Sequence, residues 1–482
     1  MAAAVREPSS AGEAFRSLSF WHDSCGDDLT PRPPLPGDAD VDVAIVGGGL
    51  TGLWTAWYLL QREPDARIAI LEREIAGFGA SGRNGGWCSA LFPQSTAALA
   101  RRHGRDAAMR MRRAMVDAVD EVARAGEAAG VAFDYAKGGT VTFARNRAQL
   151  RAAEAKVAAA EAYGVDALEL WGPERVRAAG TARATPALGA AFDPACARIH
   201  PARLVRGLAR ALEARGVAIH ERTRVRSWSG AASGPTAPPG TRRATVVTDR
   251  GRVRADRVVL ATEGYGPTLG ATHRRQLPMY SLMIATEPLP AAVWDEIGIA
   301  HGQTFADHRH LVVYGQRTAD DRLAFGGRGA PYHLGSAIRD RYDRVPRVFR
   351  HLRAALRELF PQLPPFETTH AWGGPLGVPR DWHPHVAFDA VSGIADAGGY
   401  VGDGLSTTNL AGRTLADLLS GTESELTGLP WVGHRSPDWE VEPLRWAAAN
   451  AGTLAMGLAD REERLTGRPS RIARLVAPLI GG

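Results

Sequence analysis

Lysine is almost missing from this chain: of 58 basic residues only Lys137 and Lys156 are lysines. Any chemistry that needs a lysine amine therefore has two candidates. Cysteine is scarce as well. Cys25, Cys88 and Cys196 lie far apart and are odd in number. They make neither a disulfide framework nor a CxxC metal site, which fits a reducing compartment. No apolar run approaches the length of a membrane span. The leading "MAAAVREPSSAGEAFRSLSFWHDS" carries acidic residues and no apolar centre, unlike a secretory signal. A cytoplasmic location is the expectation. Dense basic blocks are lacking too. The net charge of +6 is spread over 482 residues, so an arginine-rich surface is expected and a nucleic-acid partner is not.

What is present is an ordinary globular composition, 45% hydrophobic and 23% charged, in a chain long enough for two or three domains. "VDVAIV" (41–46) reads as a buried strand, "LTGLWTAWYLLQR" (50–62) as a helix and "ARIAILE" (66–72) as a second strand. Alanine- and arginine-rich helical stretches follow, flanking a strand-like "GGTVTFAR" (138–145). "PARLVRGLARALEAR" (201–215) is an amphipathic helix opened by proline. "VAIHERTRV" (217–225) and "RADRVVL" (254–260) read as strands, and "SGAASGPTAPPGT" (229–241) as a flexible loop. "HLVVYGQ" and "RLAFGGR" alternate as strands do, and the chain closes on a strand–turn–helix over 393–421.

The expected fold class is α/β, α+β overall. A Rossmann-like domain is assembled from discontinuous pieces (41–95, 196–275 and 371–422), and a mainly antiparallel β-sheet domain is inserted as 96–195 and 276–370. Residues 1–40 read as an extended arm and 423–482 as a C-terminal helical wrap.

Gly47, Gly49 and Gly52 form GxGxxG directly after the first strand and open the first helix. The spacing allows a tight turn, close approach to a pyrophosphate and close helix–strand packing. Glu72 lies twenty residues after Gly52, where a carboxylate accepts ribose hydroxyl bonds and repels a 2′-phosphate. NAD and FAD both satisfy this pattern. The glycine-rich "GFGASGRNGGWC" (77–88) favours FAD, whose greater length needs a cradle beyond the pyrophosphate.

These stretches, with "VVLATEGYG" and "GGYVGDGLSTTNLAGRTLADLL" downstream, resemble the D-amino acid oxidase/glycine oxidase-like FAD-dependent oxidoreductases. Within them the sequence is most similar to the γ-glutamylputrescine oxidoreductase branch. The resemblance makes the two domains an FAD-binding and a substrate domain, and adds Leu50, Thr51 and Arg73 to the cofactor contacts. It implies that Gly79, Ala80, Ser81, Arg83, Asn84, Gly85 and Gly86 lie along the pyrophosphate–ribityl part and the flavin edge. Val225 would meet the adenine. Ala261, Thr262 and Gly264 would flank the dinucleotide. Gly402, Asp403, Gly404, Leu405, Ser406 and Thr407 would approach the flavin pyrimidine, where a helix N-terminus stabilises negative charge. Relatives with covalent flavin carry a histidine in the loop that here holds Arg83 and Asn84, so non-covalent FAD is implied, with Cys88 a packing residue. Neither lysine falls in a motif matching the lysine that promotes oxygen reaction in sarcosine-oxidase-like members.

The implied reaction is oxidation of a C–N bond of an amine or amino acid, with oxygen or another acceptor reoxidising the flavin. A 2-hydroxy-acid dehydrogenase and, further off, oxidation of a modified tRNA base are the alternatives. Candidate substrate-lining residues are Trp87, Tyr314, Arg328, Tyr332 and Trp372, with Tyr314 and Asp403 the candidates for a catalytic role. Arg328 is the carboxylate-binding choice, because guanidinium pairs bidentately with carboxylates. The "DHRH" stretch, with Asp307, His308 and His310, offers metal-ligand types, but no further ligand motif converges with it, so the histidines read as solvated loop residues and no metal site is expected.

Overall fold

A computed structural model describes residues 12–165, 167–178, 187–231 and 243–476; most of the loop expected at 229–241 lies outside them. The first strand, Ala39–Val46, shows how the sequence sets the layers. Val43 and Ile45 point into a core built with helices Leu50–Arg62, Pro201–Glu213 and Gly404–Ser420. Ala44 and Val46 point to the opposite face, against Leu35, Val246 and Val253. That is the period of two of a sheet covered on both sides. The sheet runs His385–Asp389, Ile394–Gly398, Arg252–Leu260, Ala39–Val46, Ile68–Leu71, Ala218–His220. Its pairings are parallel from Ile394–Gly398 to Ala218–His220. A ribbon of Val225–Ser229 and Ala244–Thr248 joins it through antiparallel pairing with Arg252–Leu260. The single strand expected over 217–225 is interrupted. The Glu221 carboxylate is buried there between Arg32 (2.8 Å) and Arg206 (3.1 Å) and accepts the Ala76 N–H.

A second sheet of eight strands is antiparallel except where Thr304–Asp307 meets Thr140–Ala144. One face, with Val141, Phe143, Leu282, Ile284, Phe305 and Val313, packs on helix Pro346–Leu359. Thr140, Thr142, Ser281, Met283, Ala306 and Tyr314 line a cavity shared with the first sheet. Helix Arg105–Ala128 packs into the first core through Met111, Met115, Val119 and Val122, although 96–195 reads from sequence as part of the inserted body. Strand Thr368–Val378 pairs along the length of Leu277–Thr286 in the second sheet.

The arm is not simply extended. Short helices Glu13–Arg16 and Phe20–Ser24 bury Phe15, Phe20 and Trp21 against Trp372 and Met283. Among the described residues no helix is long and apolar enough to cross a membrane, and all three cysteines are buried and unpaired. The "DHRH" histidines are partly buried and packed rather than solvated. Asp307 is buried on Arg309, His308 is mostly buried, and His310 Nε2 lies 3.0 Å from Glu463 on the C-terminal helix. No metal-holding cluster exists among the described residues.

Candidate active site

The cavity between the sheets has a volume of about 410 Å³. Its first wall is the βαβ turn. Strand Ala39–Val46 ends in Gly47, and helix Leu50–Arg62 starts behind Gly49 with no side-chain cap. A Cβ on Gly52 would stand 2.3 Å from the Gly47 oxygen and 2.9 Å from Ile45 Cγ2, so only glycine lets helix and strand close here. With no cap from Gly49 itself, the N-terminus leaves the backbone N–H groups beyond Leu50 and the positive dipole end for an anion. Ser81 Oγ accepts the Leu50 N–H at 2.8 Å, which fixes the Gly79–Asn84 loop over that turn.

Glu72 stands at the end of the second strand and accepts the N–H groups of Gly48 (2.8 Å) and Glu74 (2.9 Å), one on each oxygen. Burial nevertheless pushes its pKa up to about 6. Each carboxylate oxygen keeps a further lone pair for a hydroxyl donor. Arg73, Val225, Ala261, Thr262 and Gly264 continue this end of the cavity.

The glycine-rich loop borders the cavity and also seats on the second sheet. Gly79, Ala80, Ser81, Arg83, Asn84 and Gly85 line the cavity, but Gly86 does not. A Cβ on Gly85 would lie 2.3 Å from Tyr314 Cε2, and one on Gly86 2.0 Å from Gln316 Nε2. These glycines let the loop seat against the second sheet. Arg83 is a bracket between the two bodies. Its Nη1 donates to Asp343 (2.7 Å) and to the Gly373 oxygen (3.0 Å), and its Nη2 to the Tyr265 hydroxyl (2.6 Å). The Asn84 amide caps its own loop, donating to the oxygens of Ala80 and Ser81 and accepting from the Gly86 N–H.

At the far end stand Trp87, Tyr314, Arg328, Val401, Gly402, Asp403, Gly404 and Leu405. The Tyr314 hydroxyl lies 2.9 Å from Ser281 Oγ. Arg328 Nη2 donates to the Val401 oxygen at 2.7 Å, and Arg328 makes no ion pair among the described residues. Asp403 precedes helix Gly404–Ser420 without capping it. Burial pushes its pKa up to about 6, with the charges of Arg328 and Lys156 pulling it back. A carboxylate facing two cations is partly compensated for its burial.

Several expected residues lie outside the cavity wall. Gly52 packs helix on strand. Ser406 Oγ donates to the Ser89 oxygen and Thr407 Oγ1 to the Asp403 oxygen, so both serve the helix start. The Tyr332 hydroxyl donates to Glu442 (2.6 Å), and Trp372 Nε1 donates to the Arg83 oxygen (2.9 Å). Both rings are core aromatics.

Conversely, the sequence reading passes over Glu263, Thr140, Thr142, Lys156, Asp193 and Tyr400, all in the wall. Glu263 adopts a positive φ of 42° and accepts the N–H groups of Gly377 (2.5 Å) and Tyr400 (3.0 Å). It ties both returning segments to the first sheet, and burial pushes its pKa up to about 7. The one available signal was an acid inside the apolar strand end "LATEGYG".

Glu263 gives a pH prediction. Its folded pKa lies above the unfolded value of 4.5, so its contribution is fully present below that value and is lost as pH rises through about 7. Relative to Glu263→Gln, the wild type should lose about 3 kcal/mol between pH 4.5 and 8. The buried histidines titrate in the opposite sense but are common to both proteins and cancel. Urea unfolding of both proteins across that range checks it; parallel pH profiles contradict it.

The parallel sheet with an uncapped glycine turn, an acid on the second strand and a cavity closed by an antiparallel sheet defines a dinucleotide-dependent oxidoreductase of two-sheet build. The chain belongs to the family of FAD-dependent oxidoreductases, whose family model matches residues 42–418. It is 30% identical to gamma-glutamylputrescine oxidoreductase of Escherichia coli over 409 residues, covering 84% of this chain and 89% of the relative. It is 24% identical to the sarcosine oxidase beta subunit of Arthrobacter, covering 85% and 94%. Among solved structures, glycine oxidase from Geobacillus kaustophilus superposes with a TM-score of 0.64 at 20% identity, over 82% of this chain and 99% of that one; this likeness shows the fold. The wall fits FAD: an uncapped helix N-terminus, a carboxylate with spare lone pairs, and a cavity continuing from the dinucleotide turn to the second sheet.

Proposed function

We propose that this chain oxidises a C–N bond of a small amine or amino acid. The observation that carries the reading is Arg328. Its guanidinium lies on the cavity wall with Tyr314 and Asp403 and has no ion-pair partner among the described residues. A buried guanidinium held by the Val401 oxygen and the Trp382 ring, with Asp403 acting only through space, keeps donors free, so a carboxylate on the substrate is the fitting complement.

When bound, FAD supplies a two-electron acceptor at the Tyr314 end of the cavity. Gly47, Gly49, Glu72, Ser81, Val225, Ala261 and Gly402 are the residues assigned to hold it, without a covalent bond. Among the described residues no histidine lines the wall, Cys88 is fully buried outside it, and Cys196, which does line it, is kept a neutral thiol by burial that pushes its pKa up to about 11. Acid precipitation should therefore release the flavin into the supernatant. Arg328 would orient the substrate. The dry, partly apolar wall of Met283, Leu376 and Leu405 would favour the neutral amine that reacts. The α-carbon gives up a hydride and the nitrogen a proton, leaving an imine that water splits into a carbonyl compound and an amine. Asp403, whose pKa stands at about 6, is positioned to accept that proton. The Tyr314 hydroxyl, held by Ser281, limits where the reacting carbon sits.

The test is anaerobic loss of flavin colour on mixing with amines, amino acids and 2-hydroxy acids. Amines should bleach it; bleaching by hydroxy acids alone overturns the reading. For a carboxylate-bearing substrate, Arg328→Met should raise KM roughly 10- to 100-fold, while an amine lacking a carboxylate changes little.

A further inference from the structure

Of the two lysines, Lys137 is an exposed partner of Asp120 at 2.5 Å. Lys156 is different. It projects from helix Arg147–Glu161, which packs on strands Thr140–Ala144 and Gly189–Asp193, and reaches the wall of the same cavity. Thr140, Thr142 and Asp193 line that wall with it. Lys156 is partly buried and makes no hydrogen bond or ion pair among the described residues. Asp193 is already engaged, accepting the Ala195 N–H at 2.9 Å. Its influence on Lys156, like that of Asp403, is through space. Burial lowers the ammonium's pKa, Asp193 raises it, Arg112 lowers it and Asp403 raises it.

Around Asp403 the cavity thus carries two cations without ion-pair partners, Arg328 and Lys156, whose charges both act on its carboxyl. One anionic group on the substrate answers only one of them. The Thr140 hydroxyl is paired with Thr304 Oγ1 at 2.5 Å, and we propose that Lys156, with the hydroxyl of Thr142, forms a second anion subsite for a carboxylate remote from the reacting carbon. The preferred substrates would then be amines or amino acids that carry a distal acidic group. This inference rests on the amine-oxidising reading for its substrate class, but the subsite itself is a matter of binding. A lysine from the helix packed on the second sheet and a threonine hydroxyl from strand Thr140–Ala144 give a carboxylate both a charge and a hydroxyl donor. Asp193 and Asp403 beside them would by themselves attract a distal ammonium and the charged Lys156 opposes it, so the lysine decides the sign of the subsite.

The test uses the FAD-loaded enzyme and two unreactive probes, glutarate and pentanoate, with binding read from the shift each causes in the flavin absorption spectrum. The wild type should bind the dicarboxylate roughly tenfold tighter or more, the advantage of a hydrogen bond to a charged group. Lys156→Met should erase that preference while leaving pentanoate binding and flavin content unchanged, and Lys156→Arg should retain it. No preference in the wild type, equal weakening of both probes, or a preference that survives in Lys156→Met each overturns the subsite. If glutarate is preferred through Lys156 yet no amine bleaches the flavin, the subsite stands and the amine reading fails. If amines bleach it without any dicarboxylate preference, the reverse holds.

Discussion

Gly52→Ala is expected to give a protein that purifies with little or no flavin and unfolds at lower denaturant. The new methyl would lie 2.3 Å from the Gly47 oxygen, a backbone atom with nowhere to go, and 2.9 Å from Ile45 Cγ2 on the central strand. Helix Leu50–Arg62 would have to withdraw from the sheet. Overpacking of this kind costs about 1–3 kcal/mol. The withdrawal also displaces the uncapped N–H groups from the phosphate position, so the stabilisation that bound FAD lends the fold is lost as well. Gly457→Ala is the control: no neighbouring atom lies within 4 Å of its Cβ and it sits inside helix Leu444–Thr466. There alanine should be neutral or stabilising, by up to about 1 kcal/mol. The ratio of flavin to protein absorbance checks both. Full flavin content in Gly52→Ala contradicts the packing argument.

Arg83→Met is expected to be about as damaging, through stability first. Arg83 is 4% exposed, and its removal leaves Asp343, the Gly373 oxygen and the Tyr265 hydroxyl without their shared donor. Breaking one side of a buried ion pair costs about 3–5 kcal/mol. The diagnostic is the double variant Arg83→Met with Asp343→Leu, which removes the stranded charge. It should recover a good part of the stability in urea unfolding but not the alignment of the two sheets, so flavin content should stay low. If Arg83→Met unfolds like the wild type, the bracket between the sheets is not there.

These two residues also mark what could be read in advance. The GxGxxG turn, the acid at Glu72 and the apolar strands were legible because each depends on local order: a strand period, a helix start, a fixed count of residues. The loop 77–88 was legible as a place of close approach, but not as to what approaches. Gly85 and Gly86 meet Tyr314 and Gln316 from more than two hundred residues away, and no local pattern announces a partner at that separation. Arg83 looked like a flavin-edge group for the same reason; its three acceptors come from distant segments. Tyr314 and Arg328 were found in the wall, whereas Tyr332 and Trp372 were not. All four stand on or beside strands of one sheet, and the side each shows is set by the other body. Lys156 was visible as a rarity, yet its helix had to be placed across Thr140–Ala144 before it meant anything. Glu263 was hidden inside an apolar strand end, where a buried carboxylate is held by backbone N–H groups that sequence does not reveal.

The central claim is most directly tested by an anaerobic single-turnover measurement on the purified yellow protein. An amine found to bleach the flavin is added in less than stoichiometric amount, and reduced flavin and carbonyl product are counted together. One carbonyl should form for each flavin reduced, with no bleaching by the matching 2-hydroxy acid. Bleaching by the hydroxy acid alone, or purified protein that takes up no FAD, would contradict that claim.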